Sequence, residues 1–392
     1  MRALGTSLLA TLGILSTAHA APHNTSYLDW RTFHGHGVNL GGWLVQESTI
    51  DTAWWHKYSH GASDEWTLCA NLGSQCGPVL EHRYATFITT KDIDDLAASG
   101  VSMLRIPTTY AAWINLPGSK LYSGNQQQHL HNISTYAITK HNMHIVLDIH
   151  SLPGGTNGLD IGEAVGHYNW FHNETALTHS LRAVDAVIHF IQHSGHPYAY
   201  TLEPINEPAD VRNMSVFGTP AALSEPGAAW LSKYFHAVVQ RVRAADPRIP
   251  VMLQGSFKPE TYWSGSFNAS ANIVFDLHHY YWQYPNATSV NLPGFICRDA
   301  KASKGDGKFP TFVGEWAIET GGNNSLALRE KNVKVGLDAF GRFTRGSSYW
   351  TAKFWSNDTV AGEGVKGDYW NYKGFIEDGG LQGGVDKQDY CS

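Results

Sequence analysis

The chain has 392 residues, of which 42% are hydrophobic, 12% aromatic and only 16% charged. An average chain carries about 25% charged residues, so this one is poor in charge and rich in aromatic side chains. That composition excludes a disordered chain and a coiled coil. The net charge of −6, with no cluster of basic residues, argues against nucleic acid as a partner.

The first 20 residues have the three parts of a secretory signal peptide. Arg2 supplies the positive start, residues 8–15 the apolar stretch, and Ala18-His19-Ala20 the cleavage pattern. The apolar stretch is far shorter than the ~20 residues of a membrane span, and no later segment reaches that length. The sequence therefore predicts a secreted, extracellular protein with no membrane anchor, whose mature chain is a single domain over residues 21–392.

Short apolar runs alternate along this domain with stretches of helical pattern. The runs are mostly continuous, as in parallel strands that are covered on both faces. In chain order they are Gly37–Trp43, Val101–Pro107, His144–His150, Ala199–Glu207, Val251–Ser256, Ile273–Tyr280, Thr311–Glu315 and Ser348–Phe354. The clearest helical stretches are Thr90–Ser99, Ala176–Ser194, Ala228–Ala245 and Leu326–Thr344.

Eight strands alternating with helices predict an α/β fold, a single (β/α)8 TIM barrel with decorated loops. An open, doubly wound sheet is the alternative. It is disfavoured because the first strand is not followed by the GxGxxG phosphate loop of that fold.

Cysteines and glycosylation signals agree with an oxidising, secretory route. Four cysteines allow three pairings, of which we favour Cys69–Cys76, a short local loop, and Cys297–Cys391, which would hold the C-terminal tail; free buried thiols are the alternative. Eight Asn-x-Ser/Thr signals predict N-glycosylation in exposed loops. They are Asn24, Asn132, Asn173, Asn213, Asn268, Asn286, Asn323 and Asn357.

Polar residues recur where the predicted strands end, which in a barrel is the catalytic face. One of them alone would be an ordinary buried polar group, but a repeat across seven strands indicates a site. They are Asn39, Glu47, Arg105, His150, Asn206, Glu207, His278, Tyr280, Glu315 and Trp350.

Two carboxylates stand out in this set. Glu207 lies in Glu-Pro-Ile-Asn-Glu-Pro and Glu315 in Val-Gly-Glu-Trp, and an idle charge at either place would be costly. A pair of converging carboxyls suits glycoside hydrolysis, in which one is protonated and the other ionised. We expect Arg105 to keep Glu315 ionised and an apolar setting to keep Glu207 protonated.

Other chemistries lack their motifs. There is no GxSxG elbow of a serine hydrolase and no HExxH zinc motif. His278 and His279 are adjacent on a strand, so they face opposite ways and cannot chelate one metal ion together. The sequence therefore predicts no metal and no cofactor.

With these motifs in order, the chain resembles glycoside hydrolase family 5, in the fungal exo-β-1,3-glucanase-like branch. The resemblance spans residues 37–350, and the order and spacing of its motifs are what make it specific. The motifs are Gly37-Val-Asn-Leu-Gly-Gly-Trp-Leu-Val-Gln-Glu47, Leu104-Arg-Ile-Pro107, Asp148-Ile-His-Ser-Leu-Pro-Gly154, Asn206-Glu-Pro208, His278-His-Tyr280, Gly314-Glu-Trp316 and Trp350-Thr-Ala-Lys353.

The resemblance implies a role for each matching residue. Glu207 would be the general acid/base and Glu315 the nucleophile of a retaining double displacement. Asn206 would bind the sugar 2-hydroxyl, and Glu47 would bind the far hydroxyls of the non-reducing sugar. Arg105 and Tyr280 would hold Glu315. His150 and His278 would line the subsite of the sugar that is cleaved, and Trp350 would form the stacking floor of that subsite.

Some segments depart from the glucanase pattern. Ser48 replaces the usual proline, the insert Gly158 to Phe171 is different, and the tail carries Gly-Asp-Tyr-Trp-Asn-Tyr at 367–372. The pattern is more similar to the fungal rutinosidases of the family, which release the disaccharide rutinose from flavonoid glycosides such as rutin. Trp170, Phe171 and Trp282 are candidate walls for sugar or aglycone, although plain packing would explain them equally well.

Three functions stay open at this point. We prefer the diglycosidase over an exo-β-1,3-glucanase that releases glucose from β-glucan, on the resemblance alone. A non-catalytic carbohydrate-binding protein of the cell wall is a third reading, disfavoured because both glutamates are present. The expected partner is a carbohydrate or a flavonoid glycoside, and we expect a monomer.

Overall fold

In the computed structural model, residues 25–381 and 389–391 are described, and they form a closed barrel of eight parallel strands. Each strand pairs with the next along the chain and the eighth pairs with the first. The strands are β1 (Gly35–Asn39), β2 (Met103–Thr109), β3 (His144–Ser151), β4 (Tyr200–Glu203), β5 (Val251–Gln254), β6 (Ile273–Tyr281), β7 (Thr311–Thr320) and β8 (Gly346–Tyr349). The predicted TIM barrel is confirmed.

Helices surround the barrel and decorate its loops. The described helices are α1 (Thr52–Tyr58), α2 (Glu65–Leu72), α3 (Cys76–Thr86), α4 (Thr90–Ala98), α5 (Gln126–His141), α6 (Glu174–His193), α7 (Glu225–Ala245), α8 (Glu260–Ser264), α9 (Leu292–Ala302), α10 (Arg329–Phe343), α11 (Lys366–Trp370) and α12 (Tyr372–Glu377). The four predicted helical stretches correspond to α4, α6, α7 and α10, with ends shifted by up to three residues. Among the described residues, no helix combines the length and apolar character needed to cross a membrane.

Several strand ends differ from the prediction, since β1, β5 and β8 end earlier than the runs that predict them. Two further ends position the glutamates. The run Ala199–Glu207 forms a strand only as far as Glu203, because Pro204 cannot donate to a strand ladder. β7 instead continues five residues past Glu315. Glu207 therefore lies in the loop after β4, whereas Glu315 lies within its strand.

The barrel interior is layered, because alternate residues of a strand face inward. The bottom layer is apolar and consists of Met103, Val146, Met252, Val274 and Phe312, closed from below by Trp30. Two residues further along their strands stand the buried charges Arg105, Asp148 and Asp276. Two residues further again, His150 and His278 reach the open end. Apolar support, charge and a site histidine thus follow one another along β3 and along β6.

Both disulfides join the cysteines that the sequence analysis pairs, Cys69 with Cys76 and Cys297 with Cys391. The second fixes the C-terminal tail to α9, and Lys301 of that helix also donates to the Cys391 carbonyl at 2.8 Å. The predicted signal peptide and Asn24 lie outside the described residues. The other glycosylation candidates are exposed, except Asn173, which is half-buried and caps α6.

Candidate active site

A cavity of about 530 Å³ opens at the carboxyl ends of the strands. Its lining includes both glutamates of the sequence analysis, Glu207 and Glu315, together with their expected neighbours. Those neighbours are Glu47, His150, His278, Tyr280, Trp282 and Trp350. The fold therefore brings together, from six different strand ends, residues that lie as far apart as 47 and 350 in the sequence.

Glu315 is held by two donors. Arg105 Nη1 donates to Oε1 at 2.8 Å and the Tyr280 hydroxyl donates to Oε2 at 2.8 Å. Burial alone would raise the pKa of this carboxyl, but the positive charges of His278 and Arg105 outweigh it and hold the pKa below its usual range. Glu315 is thus ionised and oriented, as a nucleophile must be.

The pKa of Glu207 is shifted in the opposite direction. Its carboxyl is buried, and burial raises its pKa although the neighbouring His278 acts in the other direction. Its backbone has a φ of +41°, in the left-handed region, and Asn157 Nδ2 donates to its carbonyl at 3.0 Å. Non-glycine residues in that region are uncommon and concentrate at functional sites. A raised pKa is what a proton donor at this position needs.

The two carboxyls are close together. One oxygen of each lies within 4.8 Å of the other and of a His278 ring nitrogen. Retaining glycosidases hold their carboxyls about 5–5.5 Å apart, whereas inverting enzymes need roughly 6.5–9.5 Å for a water molecule. The short separation agrees with a double displacement.

His278 bridges the site and the charged layer beneath it. Its Nδ1 lies 2.7 Å from Glu207 Oε1 and its Nε2 lies 2.9 Å from Asp276 Oδ2. Burial would lower the pKa of this imidazole, but the carboxylates of Glu315 and Asp276 hold it well above its usual range. A doubly protonated ring donates from both nitrogens, which fits two carboxyl acceptors. His279 has different partners, since its Nε2 lies 2.7 Å from the Ser303 hydroxyl and its ring stacks on Phe340.

Arg105 organises the charged layer. Its guanidinium forms a two-point pair with Glu203 at 2.7 and 3.2 Å, and lies 3.1 Å from Asp148. It also donates to Asn39 and Asn206 at 3.1 and 3.0 Å. All these groups are buried, so Arg105 supports the site from below, and its predicted role of holding Glu315 agrees with its contacts.

The floor of the cavity is aromatic. The rings of Trp350 and His150 lie parallel, 5.7 Å apart, and the Trp350–Thr351 peptide bond is cis. His150 Nδ1 lies 2.6 Å from Asp148, and its Nε2 lies 3.3 Å from the amide of Asn206. Asn206 is fully buried, and its contact with a sugar stays a prediction.

Tyr280 has a support that sequence analysis missed. The ring of Trp370, in the tail segment 367–372, stacks on Tyr280 at 5.2 Å and on Phe354 at 5.5 Å. The Trp370 indole N–H donates to the Glu319 carboxylate, which lies four residues beyond Glu315 on β7. The tail therefore fixes the phenol that orients the nucleophile.

Two of the three candidate walls lie outside the cavity lining, and the third lies in it. Trp170 is 0% exposed, donates to Ser180 of α6 at 3.0 Å and packs edge-on to Tyr234, so it belongs to the core. Phe171 packs beside it and is absent from the cavity lining as well. Trp282 is 46% exposed at the cavity mouth.

Further apolar residues, missed from the sequence, line the mouth beside Trp282. They are Met214, Phe217, Phe257 and Tyr284, from the loops after β4, β5 and β6. Phe217 and Phe257 form an edge-to-face pair at 5.1 Å, and Phe257 stands in a turn where it and Ser256 both have positive φ. We call these five residues the aromatic rim.

Two groups of side chains in this site have ligand atoms close enough to hold a metal ion. They are Glu203, Asp276 and His278, and Glu207, His278 and Glu315. A divalent ion would have to displace the proton of His278 and compete with Arg105, which already pairs with Glu203 and Glu315. The residues present do not fit a metal centre, and the prediction of none stands as a prediction.

Comparison with known proteins decides the family. A family model described as cellulase (glycosyl hydrolase family 5) matches residues 72–357. The chain belongs to glycosyl hydrolase family 5. The site described above lies at the strand ends, where the sequence analysis expects it.

Among solved structures, the chain is similar to the crystal structure of rutinosidase from Aspergillus niger. The two sequences are 63% identical. The match covers 91% of this chain and 100% of that one, and the structures superpose with a TM-score of 0.90. A second structure, of AoRut, is 61% identical over 91% of this chain and 99% of that one, again with a TM-score of 0.90.

Relatives of lower identity carry the name "Probable glucan 1,3-beta-glucosidase A". The protein from Aspergillus niger is 30% identical over 79% of this chain and 72% of its own length. The one from Aspergillus fumigatus is 32% identical over 72% of this chain. The match spans only 64% of the length of the Aspergillus fumigatus protein.

Proposed function

We propose that this family 5 glycoside hydrolase is a secreted, retaining β-diglycosidase that releases rutinose from flavonoid glycosides such as rutin. The observation that carries the substrate is the 63% identity, over 91% of the chain, with rutinosidase from Aspergillus niger. The glucan glucosidases are only 30% and 32% identical. The two disulfides agree with a secreted protein.

In the first step of the proposed mechanism, the Glu315 carboxylate attacks the anomeric carbon of the glucose unit. The bond from this carbon to the aglycone oxygen breaks as Glu207 donates its proton to that oxygen. The products are a glycosyl ester on Glu315 and a free aglycone hydroxyl. The Tyr280 hydroxyl and Arg105, each 2.8 Å from a Glu315 oxygen, orient the nucleophile.

In the second step Glu207, now a carboxylate, takes a proton from water. The oxygen of that water attacks the anomeric carbon, the ester bond breaks and Glu315 is released as a carboxylate. Two inversions at one carbon leave the anomeric configuration unchanged. The short distance between one oxygen of each carboxyl, within 4.8 Å, supports this sequence of steps.

Three substrates separate the proposed function from its alternatives. The enzyme is incubated with rutin, with the plain β-glucoside of the same flavonol and with laminarin, and the released sugars are identified by chromatography. We expect rutinose from rutin and no glucose from laminarin. Glucose from laminarin without rutinose from rutin would identify an exo-β-1,3-glucanase, and no product from any substrate would favour a binding protein.

A matched variant assigns any product to this site. Glu315→Gln keeps the size of the side chain and removes the nucleophile, and it should release no rutinose above background. Glu330→Gln, an exposed glutamate of α10 that pairs with Lys334, is the control and should match the unchanged enzyme.

A further inference from the structure

Three of the eight glycosylation signals belong to a longer pattern. Each has an aromatic residue two positions before the asparagine and threonine, rather than serine, two positions after it. They are Phe171-His-Asn-Glu-Thr175, Tyr284-Pro-Asn-Ala-Thr288 and Trp355-Ser-Asn-Asp-Thr359. The other five signals end in serine and have no aromatic residue at the earlier position. An aromatic ring and a sugar attachment thus recur at one spacing, and the fold decides which of the rings a sugar reaches.

At the third signal, the ring and the asparagine lie on the same side of the backbone. Trp355 and Thr359 each form a β-bridge to a neighbouring segment, so the chain between them is extended. Trp355 is 47% exposed and Asn357 is exposed, whereas Ser356 between them is buried. Alternate residues of an extended chain point to the same side. The Asn357 side chain therefore leaves the backbone on the side of the Trp355 ring.

The Trp355 ring is held in place although much of it stays open. Its backbone N–H donates to the Ile50 carbonyl at 2.6 Å, and its ring packs edge to face with Phe87 at 5.3 Å. The Gly367 N–H fixes the following peptide, since it donates to the Ser356 carbonyl at 3.1 Å. A sugar that packs on this ring therefore has little of the protein left to order, which is where binding otherwise loses free energy.

The second signal has a similar arrangement in a turn. The Ala287 N–H donates to the Tyr284 carbonyl at 2.9 Å, so Asn286 is the third residue of a four-residue turn. Asn291 Nδ2 fixes the backbone of this asparagine by donating to its carbonyl at 3.0 Å. Phe295 of α9 stacks on the Tyr284 ring at 6.2 Å, and Tyr284 is still 41% exposed. The ring is thus supported by the protein and open beside a sugar attachment.

The first signal differs from the other two. Phe171 packs edge to face with Trp170 at 4.9 Å and is half-buried. The Asn173 side chain is also half-buried, because its Oδ1 caps the first turn of α6 and its Nδ2 donates to the Asn169 carbonyl at 3.0 Å. Here the ring and the amide both serve the protein's own packing. An open ring beside an exposed asparagine is found only at the other two of these three signals, which we call the aromatic sequons.

In the aromatic sequons, the amides of Asn286 and Asn357 have no hydrogen-bond partner within the part of the chain that the structure describes. We propose that both asparagines carry N-glycans and that the first N-acetylglucosamine of each packs on the aromatic ring two residues earlier. The face of an aromatic ring carries partial negative charge, which suits the C–H groups on the apolar face of a sugar. Because Tyr284 lines the cavity, the sugar on Asn286 also forms part of its mouth.

The proposal rests on the secretion that is part of the proposed function, since the sugar is attached in the secretory route. The donor is a lipid-linked oligosaccharide diphosphate. Asparagine Nδ2 forms a bond to C1 of the first sugar, the bond from C1 to the diphosphate oxygen breaks, and the amide gives up one proton. No residue of the catalytic site takes part.

The packing is tested on enzyme secreted by a fungal host. Mass spectrometry of glycopeptides gives the occupancy of each site, and endoglycosidase H then leaves one N-acetylglucosamine on each occupied asparagine. Proton–carbon correlation NMR records the N-acetyl methyl groups, which Asn→Gln variants assign to their sites. A methyl group over an aromatic face shifts upfield. We expect the signals of Asn286 and Asn357 upfield of those from the serine sites, such as the exposed Asn268, which has Ser266 at the earlier position.

Variants of the rings locate the contact. Trp355→Leu and Tyr284→Leu should each move only the signal of its own site to the position of the serine sites, whereas Trp355→Phe and Tyr284→Phe keep a ring and should keep an upfield signal. Trp282→Leu is the control, because this ring is 46% exposed but is not followed by a signal two residues later. Nuclear Overhauser contacts between the N-acetyl methyl and the ring protons of the unchanged enzyme repeat the test without a substitution.

The outcomes separate this proposal from the proposed function. Signals of Asn286 and Asn357 that coincide with those of the serine sites, or that stay in place when the rings are removed, overturn it. An aromatic sequon that carries no glycan while the serine sites do also overturns it. In each of these cases release of rutinose from rutin is unaffected and the diglycosidase stands. If the host retains the enzyme and no site carries a glycan, the secretion and this proposal both fall.

Discussion

The charged layer below the cavity and the aromatic rim at its mouth are built in opposite ways. The charged layer stands on strands, is fully buried, and has polar groups such as Arg105 bonded on every side. The aromatic rim stands on loops, and Trp282 and Tyr284 are close to half exposed. Chemistry common to a family needs a fixed geometry, whereas selection of a substrate can be changed by loops that leave the strands untouched. A change in the charged layer should therefore affect every substrate, and a change in the rim only some.

The largest effect is expected at the nucleophile itself. Glu315→Gln should lower kcat/KM by about 10⁴-fold or more on every substrate, because no covalent intermediate can form. The measurement is a comparison of a flavonol rutinoside with a nitrophenyl rutinoside. Residual activity of more than a few per cent on either would remove Glu315 from the proposed mechanism.

Removing the central cation should destabilise the whole barrel. Arg105→Met leaves the carboxylates of Asp148, Glu203 and Glu315 buried without their partner, which costs about 3–5 kcal/mol of unfolding free energy. Urea unfolding followed by far-UV circular dichroism measures it. Arg298→Met, which breaks an exposed pair with Asp299, should change the free energy of unfolding by less than about 0.5 kcal/mol. Equal losses of unfolding free energy in the two variants would contradict the expectation that a charge in the buried layer matters more for stability than a charge at the surface.

The phenol of Tyr280 should affect both rate and pH dependence. Tyr280→Phe removes a hydrogen bond to a charged acceptor, worth roughly 1.5–3 kcal/mol or 10- to 100-fold in kcat/KM. The same hydrogen bond lowers the pKa of Glu315. Since activity is lost as the pH falls through this pKa, the acid limb of the profile should move to higher pH in the variant. An acid limb that does not shift in Tyr280→Phe would contradict the role of Tyr280 in lowering the pKa of Glu315.

The alkaline side of the same profile reports on Glu207. Its pKa is raised, and a general acid is active only while protonated, so activity should fall as the pH rises through that pKa. With a nitrophenyl leaving group, which needs little protonation, Glu207→Gln should lose the alkaline limb of the first step. A variant that keeps this limb unchanged would assign it to another group.

The tail should act through Tyr280 and therefore more weakly. Trp370→Leu removes the ring that stacks on Tyr280 and should shift the acid limb in the same direction as Tyr280→Phe, with a smaller loss of kcat/KM. Trp355→Leu, a tryptophan of the same tail that is 47% exposed, is the control. If Trp370→Leu loses stability but its pH profile does not shift, Trp370 contributes packing alone and does not act through Tyr280.

The smallest effect is expected at the aromatic rim. Trp282→Ala should raise KM for a flavonol rutinoside by about 2- to 10-fold, since a ring contact is worth roughly 0.5–1.5 kcal/mol, and should affect a methyl rutinoside less. Steady-state kinetics on the two substrates measures the difference. Equal changes in KM would show that the rim does not contact the aglycone.

Strand-end chemistry could be predicted from the sequence because it follows from periodicity. An apolar run that ends in a polar residue marks the catalytic face, and this pattern was enough to find Glu207, Glu315, His278 and Tyr280. Of the buried partners of Arg105, Glu315 was predicted, but the carboxylates beneath it were missed, although Asp276 precedes His278 by two residues and so had to face the same way.

The packing partners of the inserts, the loops and the tail could not be predicted. The sequence leaves Trp170 equally open as a cavity wall or as plain packing, because a tryptophan in an insert gives no sign of its partner, which in the fold is Ser180 of α6. Trp370 can support Tyr280 only because the tail returns to β7, where Glu319 accepts a hydrogen bond from the Trp370 indole N–H. The rim residues Phe217 and Phe257 lie in loops without periodicity, so no repeating pattern marked them.

The most direct test of the account follows the anomeric configuration of the first sugar released from rutin. Proton NMR during the first minutes distinguishes the two anomers of rutinose before they interconvert. Because one oxygen of Glu207 lies within 4.8 Å of one oxygen of Glu315, we expect the β-anomer of intact rutinose to appear first and the α-anomer only later. The α-anomer appearing first, or free glucose in place of the disaccharide, would contradict the account.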